Sequence, residues 1–222
     1  HGYVGFLFGA VKANPWWSTA LMPVIFLVSA IVSGIALLVV LYLWLNCWRR
    51  TRPDGDCLRS LARYLWLFLV LAVSLELLEM GQLAYEASGE WEVLRSLLFE
   101  RLVVSYWLVQ LLIGSIVPLV LLPIAMHPRL PGPLASCIAG LCSLLVLVQV
   151  LAMRWNVVVG GQLFSKSFQG FIDFPLRWGG REGLVAAGFV LLLPLVVLRF
   201  AGKLFPFVPD ATPTREPLDG TT

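Results

Sequence analysis

The sequence predicts an all-α membrane protein: a polytopic bundle of about five complete membrane-spanning helices that follows the end of an earlier helix. Hydrophobic residues make up 59% of the 222 residues and charged residues only 13%, with a mean hydropathy of +0.86. Soluble domains are closer to half apolar and a quarter charged. Apolar runs of about 18 or more residues recur, each long enough to cross roughly 30 Å of hydrocarbon. These runs lack the polar/apolar alternation of barrel strands, so the spans are expected to be helices.

The first element predicted is the end of a helix over residues 1–11. Its beginning is expected to precede this sequence, so we interpret the chain as the C-terminal part of a longer polypeptide. Asn14–Pro15 is a helix-breaking pair that predicts a turn. The adjacent pair Trp16–Trp17 is typical of side chains at the level of the lipid head groups.

Five apolar segments then predict five complete spans, at residues 19–48, 61–85, 97–125, 134–153 and 183–204. We therefore expect a membrane domain over residues 1–205. Residues 206–222 are polar and proline-rich and are expected to form a cytoplasmic tail.

The charges of the loops predict the orientation of the bundle. Arg49, Arg50, Arg52 and Arg59 crowd the loop after the first span, whereas the loop after the second span, 86–92, is acidic. Because basic loops are retained on the cytoplasmic side, the first loop is predicted to be cytoplasmic and the acidic loop external. The net charge of +3 is too small to indicate a nucleic-acid partner.

Two carboxylates are predicted at membrane depth. Glu76 and Glu79 are three residues apart in the second span, so they share one face of a helix. Carboxylates at this depth are costly and usually face a cavity, a partner or the bundle interior. They are therefore candidates for a proton carrier or a ligand for a polar head group. The alternative is an interfacial ion pair with Arg95, Arg101 or Arg154.

The third and fourth spans carry further polar candidates. Tyr106 lies about one turn inside the external boundary, where it could hydrogen-bond a carbonyl within the membrane or belong to an aromatic belt. Gln110 and Gln149 are amides within spans, either contacts for a ligand or hydrogen bonds between helices.

The segment Met153–Gly170 lies between two spans and is unusually polar. Arg154 could bind an anion, polarise a carbonyl or hold a carboxylate of the second span. Gly160–Gly161 allows a sharp turn or a close approach of the backbone. Gln162 and Ser165 add hydrogen-bonding groups. Together with the carboxylates, these groups favour a redox or proton-coupled site for a lipid-soluble molecule at one membrane face.

Metal ligands are sparse. The four cysteines form no CxxC pair and match no standard iron–sulfur spacing. The two histidines, His1 and His127, are predicted on opposite faces, which argues against a bis-histidine haem. Electrons that pass through this protein are therefore expected to reach metal centres in another subunit.

Several motifs resemble one family of membrane proteins. Residues 154–162 (RWNVVVGGQ), followed by 165–167 (SKS), resemble the motif before the last helix of the NrfD/polysulfide reductase membrane-subunit family. Residues 3–7 (YVGFL), with Pro15–Trp16 and 21–30, resemble an earlier helix junction of that family. Residues 181–184 (REGL) resemble the branch found in sulfur-metabolism complexes, the DsrP-like and tetrathionate-reductase-like anchors.

This resemblance implies a membrane anchor that exchanges electrons between the quinone pool and a peripheral iron–sulfur subunit. That subunit would feed a molybdopterin or multihaem cytochrome subunit, here in sulfur-compound metabolism. The resemblance also implies menaquinone or ubiquinone as the bound substrate and no haem in this chain. The quinone would lie near the outer face of the bacterial inner membrane.

The resemblance also suggests roles for individual residues. Tyr106 is the best match for a tyrosine that contacts the quinone in this family. The side chains expected at the quinone are Tyr106, Gln162, Ser165 and Tyr3. Glu79 is expected to accept protons, with Arg154 adjusting that carboxylate. The alternatives are a proton- or ion-coupled transporter, for which the sequence offers no inverted repeat, and a purely structural anchor.

Overall fold

The computed structural model describes residues 2–11, 14, 17, 19–86, 95–162 and 184–204. The chain divides into two compact units, His1–Ile172 and Asp173–Thr222. Within the described residues the regular elements are helices and no strand occurs, which confirms the predicted all-α class. Four of these helices are long and apolar enough to cross a membrane.

In the first unit, five helices follow one another: α1 Gly2–Gly9, α2 Met22–Arg49, α3 Gly55–Glu86, α4 Val103–Ala125 and α5 Gly132–Gly160. The second unit contains α6, Leu184–Leu204, at the position of the fifth predicted span. The acidic loop and the proline-rich tail predicted from the sequence lie outside the described residues.

Two of the spanning helices contain π-helical segments. In α4 the segment Val103–Ile116 is π-helical and Val117–Ala125 is α-helical. In α5 the α-helix Gly132–Trp155 is followed by the π-helical segment Asn156–Gly160. A short π-helical segment, Leu97–Arg101, also precedes α4.

The core of the first unit lies where α2, α3, α4 and α5 pack together. Its most buried apolar side chains are Val32, Ala36, Leu65, Leu69, Leu122 and Val146. Gly114 of α4 lies directly against Gln149 of α5, so a Cβ atom at Gly114 would overlap the Gln149 side chain. The absence of a side chain at Gly114 therefore lets these two helices approach closely.

The alternating direction of the helices gives the bundle two ends. The end of α2, the start of α3, the end of α4 and the start of α5 meet at one end, which we call the arginine end. The C-terminal parts of α3 and α5 and the start of α4 meet at the other, the carboxylate end.

The helix α3 begins six residues earlier than the sequence predicted, at Gly55 rather than residue 61. The Asp54 carboxylate accepts a hydrogen bond from the Asp56 backbone N–H at 3.0 Å. The Arg59 side chain donates Nε to the Gly55 carbonyl at 3.1 Å. These contacts satisfy backbone groups at a helix start that hydropathy alone does not detect.

The helix α5 also extends beyond its predicted end at residue 153 and continues to Gly160. Its last carbonyls find donors in the connection between α1 and α2. Trp17 donates Nε1 to the Val157 carbonyl and Asn14 donates Nδ2 to the Gly161 carbonyl, both at 2.7 Å. The first part of the polar segment is therefore helical rather than a loop, because side chains from elsewhere satisfy its end.

Candidate functional site

The two carboxylates of α3 are buried at the carboxylate end, with Glu76 7% and Glu79 5% exposed. Each accepts a hydrogen bond from an uncharged donor. Gln110 of α4 donates Nε2 to Oε1 of Glu76. Thr19, in the connection before α2, donates Oγ1 to Oε1 of Glu79 at 2.5 Å. The two neighbouring carboxylates are therefore held by different elements of the fold.

A chain of hydrogen bonds leads from α4 through α5 to Glu76. Ser105 donates Oγ to Oδ1 of Asn156 at 2.5 Å. Asn156 donates Nδ2 to Oε1 of Gln110 at 2.7 Å, and Gln110 donates to Glu76. Each amide thus donates through its nitrogen and accepts through its oxygen, which fixes the donor-to-acceptor direction of these hydrogen bonds from Ser105 to Glu76.

Tyr106 borders a small cavity beside these carboxylates. The cavity is lined by Glu76, Glu79, Met80, Tyr106, Gln110, Met153, Asn156 and Val157. Tyr106 is only 5% exposed. We call Glu76, Glu79, Tyr106, Gln110 and Asn156 the carboxylate cluster.

The volume of this cavity limits what it can hold. It measures about 10 Å³, and a buried water needs roughly 10–15 Å³ by this measure. A benzene ring occupies an engineered cavity on the order of 150 Å³. The cavity therefore has room for about one water molecule and not for an aromatic ring.

Two members of the cluster lie on the π-helical part of α4. Within Val103–Ile116 the buried residues are Tyr106, Gln110, Gly114 and Ser115, so the first three recur every four residues. Residues four apart share one face of a helix, which directs Tyr106 and Gln110 to the same side of α4. The Asn156–Gly160 segment that carries Asn156 is also π-helical. Such segments are rare and occur often at functional sites.

The connection between α1 and α2 joins α3 and α5 over this end of the bundle. Thr19 bonds Glu79 of α3, and Trp17 bonds the backbone of α5. The Trp17 indole occupies the space that a Cβ atom of Gly161 would fill, and it packs edge-on against Phe8 at 4.9 Å between ring centroids. A side chain at position 161 would therefore overlap the Trp17 ring, which lies against the backbone of Gly161.

Arg154 lies beside the cluster rather than in it. Its guanidinium carbon is 5.8 Å from the centroid of the Phe26 ring in α2, which is the geometry of a cation–π contact. Arg154 does not line the small cavity, and the hydrogen bond to Glu79 comes from Thr19. The structure thus shows Arg154 packing between α5 and α2.

The other predicted site residues are more dispersed. Tyr3 lies on α1 and is 73% exposed, and Gln162 is exposed just beyond α5. Neither lines the small cavity. Ser165 lies outside the described residues. Of the predicted residues, the structure brings Glu79 and Tyr106 together.

Sequence reasoning assigned no site role to two residues that the structure places in contact with the carboxylates or their partners. Asn156, at 1% exposure, lies within the RWNVVVGGQ motif, and an amide buried among valines was a signal that could have identified it. Thr19 bonds Glu79 from 60 residues away. No local pattern marks such a contact.

Metal-binding groups are scattered in the described part of the chain, where no three His, Cys, Asp or Glu side chains gather into a possible metal site. Cys47, Cys57 and Cys137 are exposed, Cys142 is buried, and all four are free thiols.

The sequence of the chain matches one family of known proteins. The family model described as "Polysulphide reductase, NrfD" matches residues 1–166. A selenate reductase subunit of Mesobacillus selenatarsenatis is 32% identical over 207 residues, which cover 87% of this chain and 46% of that protein. Protein NrfD of Escherichia coli is 29% identical over 174 residues, which cover 72% of this chain and 48% of that protein. The chain therefore spans about half the length of the curated relatives it matches, and no solved structure gives a significant match.

Proposed function

The chain belongs to the NrfD family of membrane proteins, and from that premise we propose that it is the quinone-reactive membrane subunit of a respiratory oxidoreductase complex. In this proposal it exchanges electrons between menaquinone or ubiquinone and a peripheral iron–sulfur subunit. The observation that carries the proposal is the buried Tyr106 side chain, which borders one cavity with Glu76 and Glu79.

The chemistry of a quinol calls for such a cluster. Oxidation of a quinol to a quinone releases two electrons and two protons, so a proton acceptor must lie within hydrogen-bond reach or one water away. In our proposal Tyr106 hydrogen-bonds an oxygen of the head group. Glu79 takes one proton through a water in the cavity, and Glu76, which borders the same cavity, takes the other. The electrons leave for the metal centres of the partner subunit. In the opposite direction the same groups supply protons to a quinone.

The partners of the carboxylates suit this role. In the described part of the chain the donors that bond Glu76 and Glu79 are Gln110 and Thr19, which are uncharged, so protonation of either carboxylate does not remove the counter-charge of its donor. Removing one charge from a buried ion pair is costly, because the other charge is left without a partner. Neutral donors around the carboxylates therefore allow a carboxylate to bind and release a proton with little rearrangement of the side chains around it.

Because the cavity is too small for a ring, we place the quinone beside it. Trp107 lies edge-on to Tyr106 at 5.6 Å between ring centroids, and Phe99 lies 5.3 Å from Trp107. Phe99 is 55% and Trp107 37% exposed. This aromatic surface next to Tyr106 suits the face of a quinone ring. The cavity would then hold the water that transfers the proton, and the ring would lie outside it.

We extend the proposal to the partners and the terminal substrate. The name of one relative, a selenate reductase subunit, and the motif resemblance to sulfur-metabolism anchors favour a complex that acts on a sulfur or selenium compound. In such a complex the iron–sulfur subunit docks at the carboxylate end and passes electrons to a molybdopterin or multihaem cytochrome subunit. Arg154, Gln162, Ser165 and Tyr3 remain proposed secondary contacts for the quinone.

The test is quinol oxidation by the complete complex in membranes, with matched variants. Tyr106→Phe and Glu79→Gln should lower turnover, the latter by about 100-fold or more, the usual loss when a proton acceptor is removed. The controls are Tyr64→Phe and Glu100→Gln, which change exposed side chains outside the cluster. Normal turnover in both cluster variants, with normal assembly of the complex, would refute the proposal.

A further inference from the structure

A second and much larger cavity lies at the arginine end. It measures about 650 Å³ and opens between the α2–α3 connection and the α4–α5 connection. Small-molecule sites usually measure roughly 300–1,000 Å³. We call it the arginine pocket. Its floor is apolar and its rim is basic, with Leu58, Ala62 and Ala139 below and Arg52, Arg59 and His127 above.

The rim is held in place by specific hydrogen bonds. Thr51 donates Oγ1 to Oδ1 of Asn46 at 2.8 Å. The backbone N–H of Asp54 donates to the Tyr42 hydroxyl at 2.8 Å. These two bonds tie the short connection between α2 and α3 to the last turns of α2, so Arg52, which lies between them, is fixed at the rim.

The rim and the segments beside it have an excess of positive charge. Residues 49–63 and 127–136 together contain six arginines and two aspartates, and of these charged residues Arg52 and Arg59 line the pocket. Arg59 bonds Asp56 at 2.9 Å and the Gly55 carbonyl at 3.1 Å, but a guanidinium carries five N–H donors. Two helices, α3 and α5, also start at the pocket with Gly55 and Gly132 among its lining residues, and helix starts favour anions.

We propose that the arginine pocket binds the head group of an anionic phospholipid. The phosphate lies between Arg52 and Arg59 near the two helix starts, and the acyl chains follow the apolar floor into the bilayer. A free inorganic anion would use the basic rim but leave the floor unfilled. Basic pockets between spanning helices are a recognised kind of site for anionic lipid head groups. This site is separate from the quinone chemistry proposed above.

The experiment uses the full-length protein purified in a neutral detergent. The probes are phosphatidylglycerol, phosphatidylcholine and inorganic phosphate, and the readouts are bound lipid by native mass spectrometry and the midpoint of thermal unfolding. We expect phosphatidylglycerol to bind and raise the midpoint, and the other two probes to leave it unchanged. The double variant Arg52→Gln/Arg59→Gln should weaken phosphatidylglycerol binding by about tenfold or more, because two charge-assisted contacts are lost.

Two further variants keep the test decisive. Arg63→Gln removes an exposed charge of α3 outside the pocket, so it should bind phosphatidylglycerol normally. Ala135→Trp places a large side chain in the pocket without changing any charge, so it should weaken phosphatidylglycerol binding by obstructing the pocket, and it remains informative if the double variant fails to fold. Equal binding of phosphatidylcholine, an equal effect of inorganic phosphate, or normal phosphatidylglycerol binding by Ala135→Trp would each overturn the proposal.

Discussion

The two ends of the bundle differ in the burial of their charged side chains and in the volume of their cavities. At the carboxylate end, Glu76 and Glu79 are buried beside a cavity of about 10 Å³ and accept hydrogen bonds from uncharged side chains. At the arginine end, Arg52 and Asp56 are exposed, and the cavity measures about 650 Å³. The cavity at the carboxylate end has room for about one water, whereas the cavity at the arginine end has room for a whole ligand. The two proposals therefore place proton transfer and lipid binding at opposite ends of one set of helices.

The same difference predicts how substitutions behave. At the carboxylate end, removal of one partner leaves another buried polar group without its hydrogen bond, and water has little room to replace it. At the arginine end, water replaces a lost partner at once. Chemically matched substitutions should therefore cost much more at the first end than at the second.

The largest contrast should appear in turnover when a carboxylate becomes an amide at each end. Glu79→Gln should lower quinol oxidation by about 100-fold or more, because the proton acceptor is lost. Asp56→Asn, which alters an 89% exposed carboxylate paired with Arg59, should leave turnover unchanged. Steady-state assays on the assembled complex compare the two, and equal losses would remove the distinction between the ends.

The next contrast concerns stability. Gln110→Leu removes the bonds to both Glu76 and Asn156, so two buried groups lose a partner at about 1–3 kcal/mol each. Thr51→Val removes one exposed bond to Asn46 and should cost well under that, at most about 1 kcal/mol. Reversible unfolding in mixed micelles measures both. A loss for Gln110→Leu no greater than that for Thr51→Val would contradict the account.

A smaller loss is expected where two helices touch. In Gly114→Ala the added Cβ atom meets the Cα, Cβ and Cγ atoms of Gln149, so α4 and α5 must move apart at a cost of about 1–3 kcal/mol. The control is Gly81→Ala on α3, where nothing lies within 4 Å of the new atom. The thermal midpoints of the two variants should differ clearly. Similar midpoints would show that α4 and α5 do not need this close approach.

The smallest effect expected is at the contact between the α1–α2 connection and α5. Trp17→Phe keeps an aromatic ring against Gly161 but loses the hydrogen bond to the Val157 carbonyl, which should cost about 1 kcal/mol. Trp44→Phe changes an exposed tryptophan and serves as the control. Hydrogen exchange of the amides near Val157 should rise in Trp17→Phe only, and unchanged exchange there would argue against this contact.

The sequence predicted the spanning helices well because their signal is local. A run of apolar residues long enough to cross the membrane identifies a helix without any knowledge of its neighbours, and the span predicted at 19–48 corresponds closely to Met22–Arg49. The span predicted at 183–204 corresponds to the helix Leu184–Leu204, which is not among the four described helices that are long and apolar enough to cross a membrane. The ends were less accurate. Side chains such as Asp54 and Trp17 decide where α3 begins and α5 ends, and hydropathy does not register them.

The site was only partly predictable because it depends on contacts between distant residues. Glu79 and Tyr106 could be chosen as polar groups in apolar spans, and they do meet in one cavity. Thr19, which bonds Glu79, and Asn156, which bonds Gln110, come from other elements. The segment Val103–Ile116, which carries Tyr106 and Gln110, is π-helical, and a π-helical ladder changes the spacing that sequence analysis assumes.

The central claim is that Glu79 exchanges a proton when the quinone changes its redox state, and infrared difference spectroscopy of the complete complex tests it directly. Spectra recorded between the quinol and quinone states should contain a carboxyl C=O signal that disappears in Glu79→Gln. The signal should persist in Glu100→Gln, which alters an exposed carboxylate outside the carboxylate cluster. A carboxyl signal unchanged in Glu79→Gln, or one lost only in Glu100→Gln, would contradict the account.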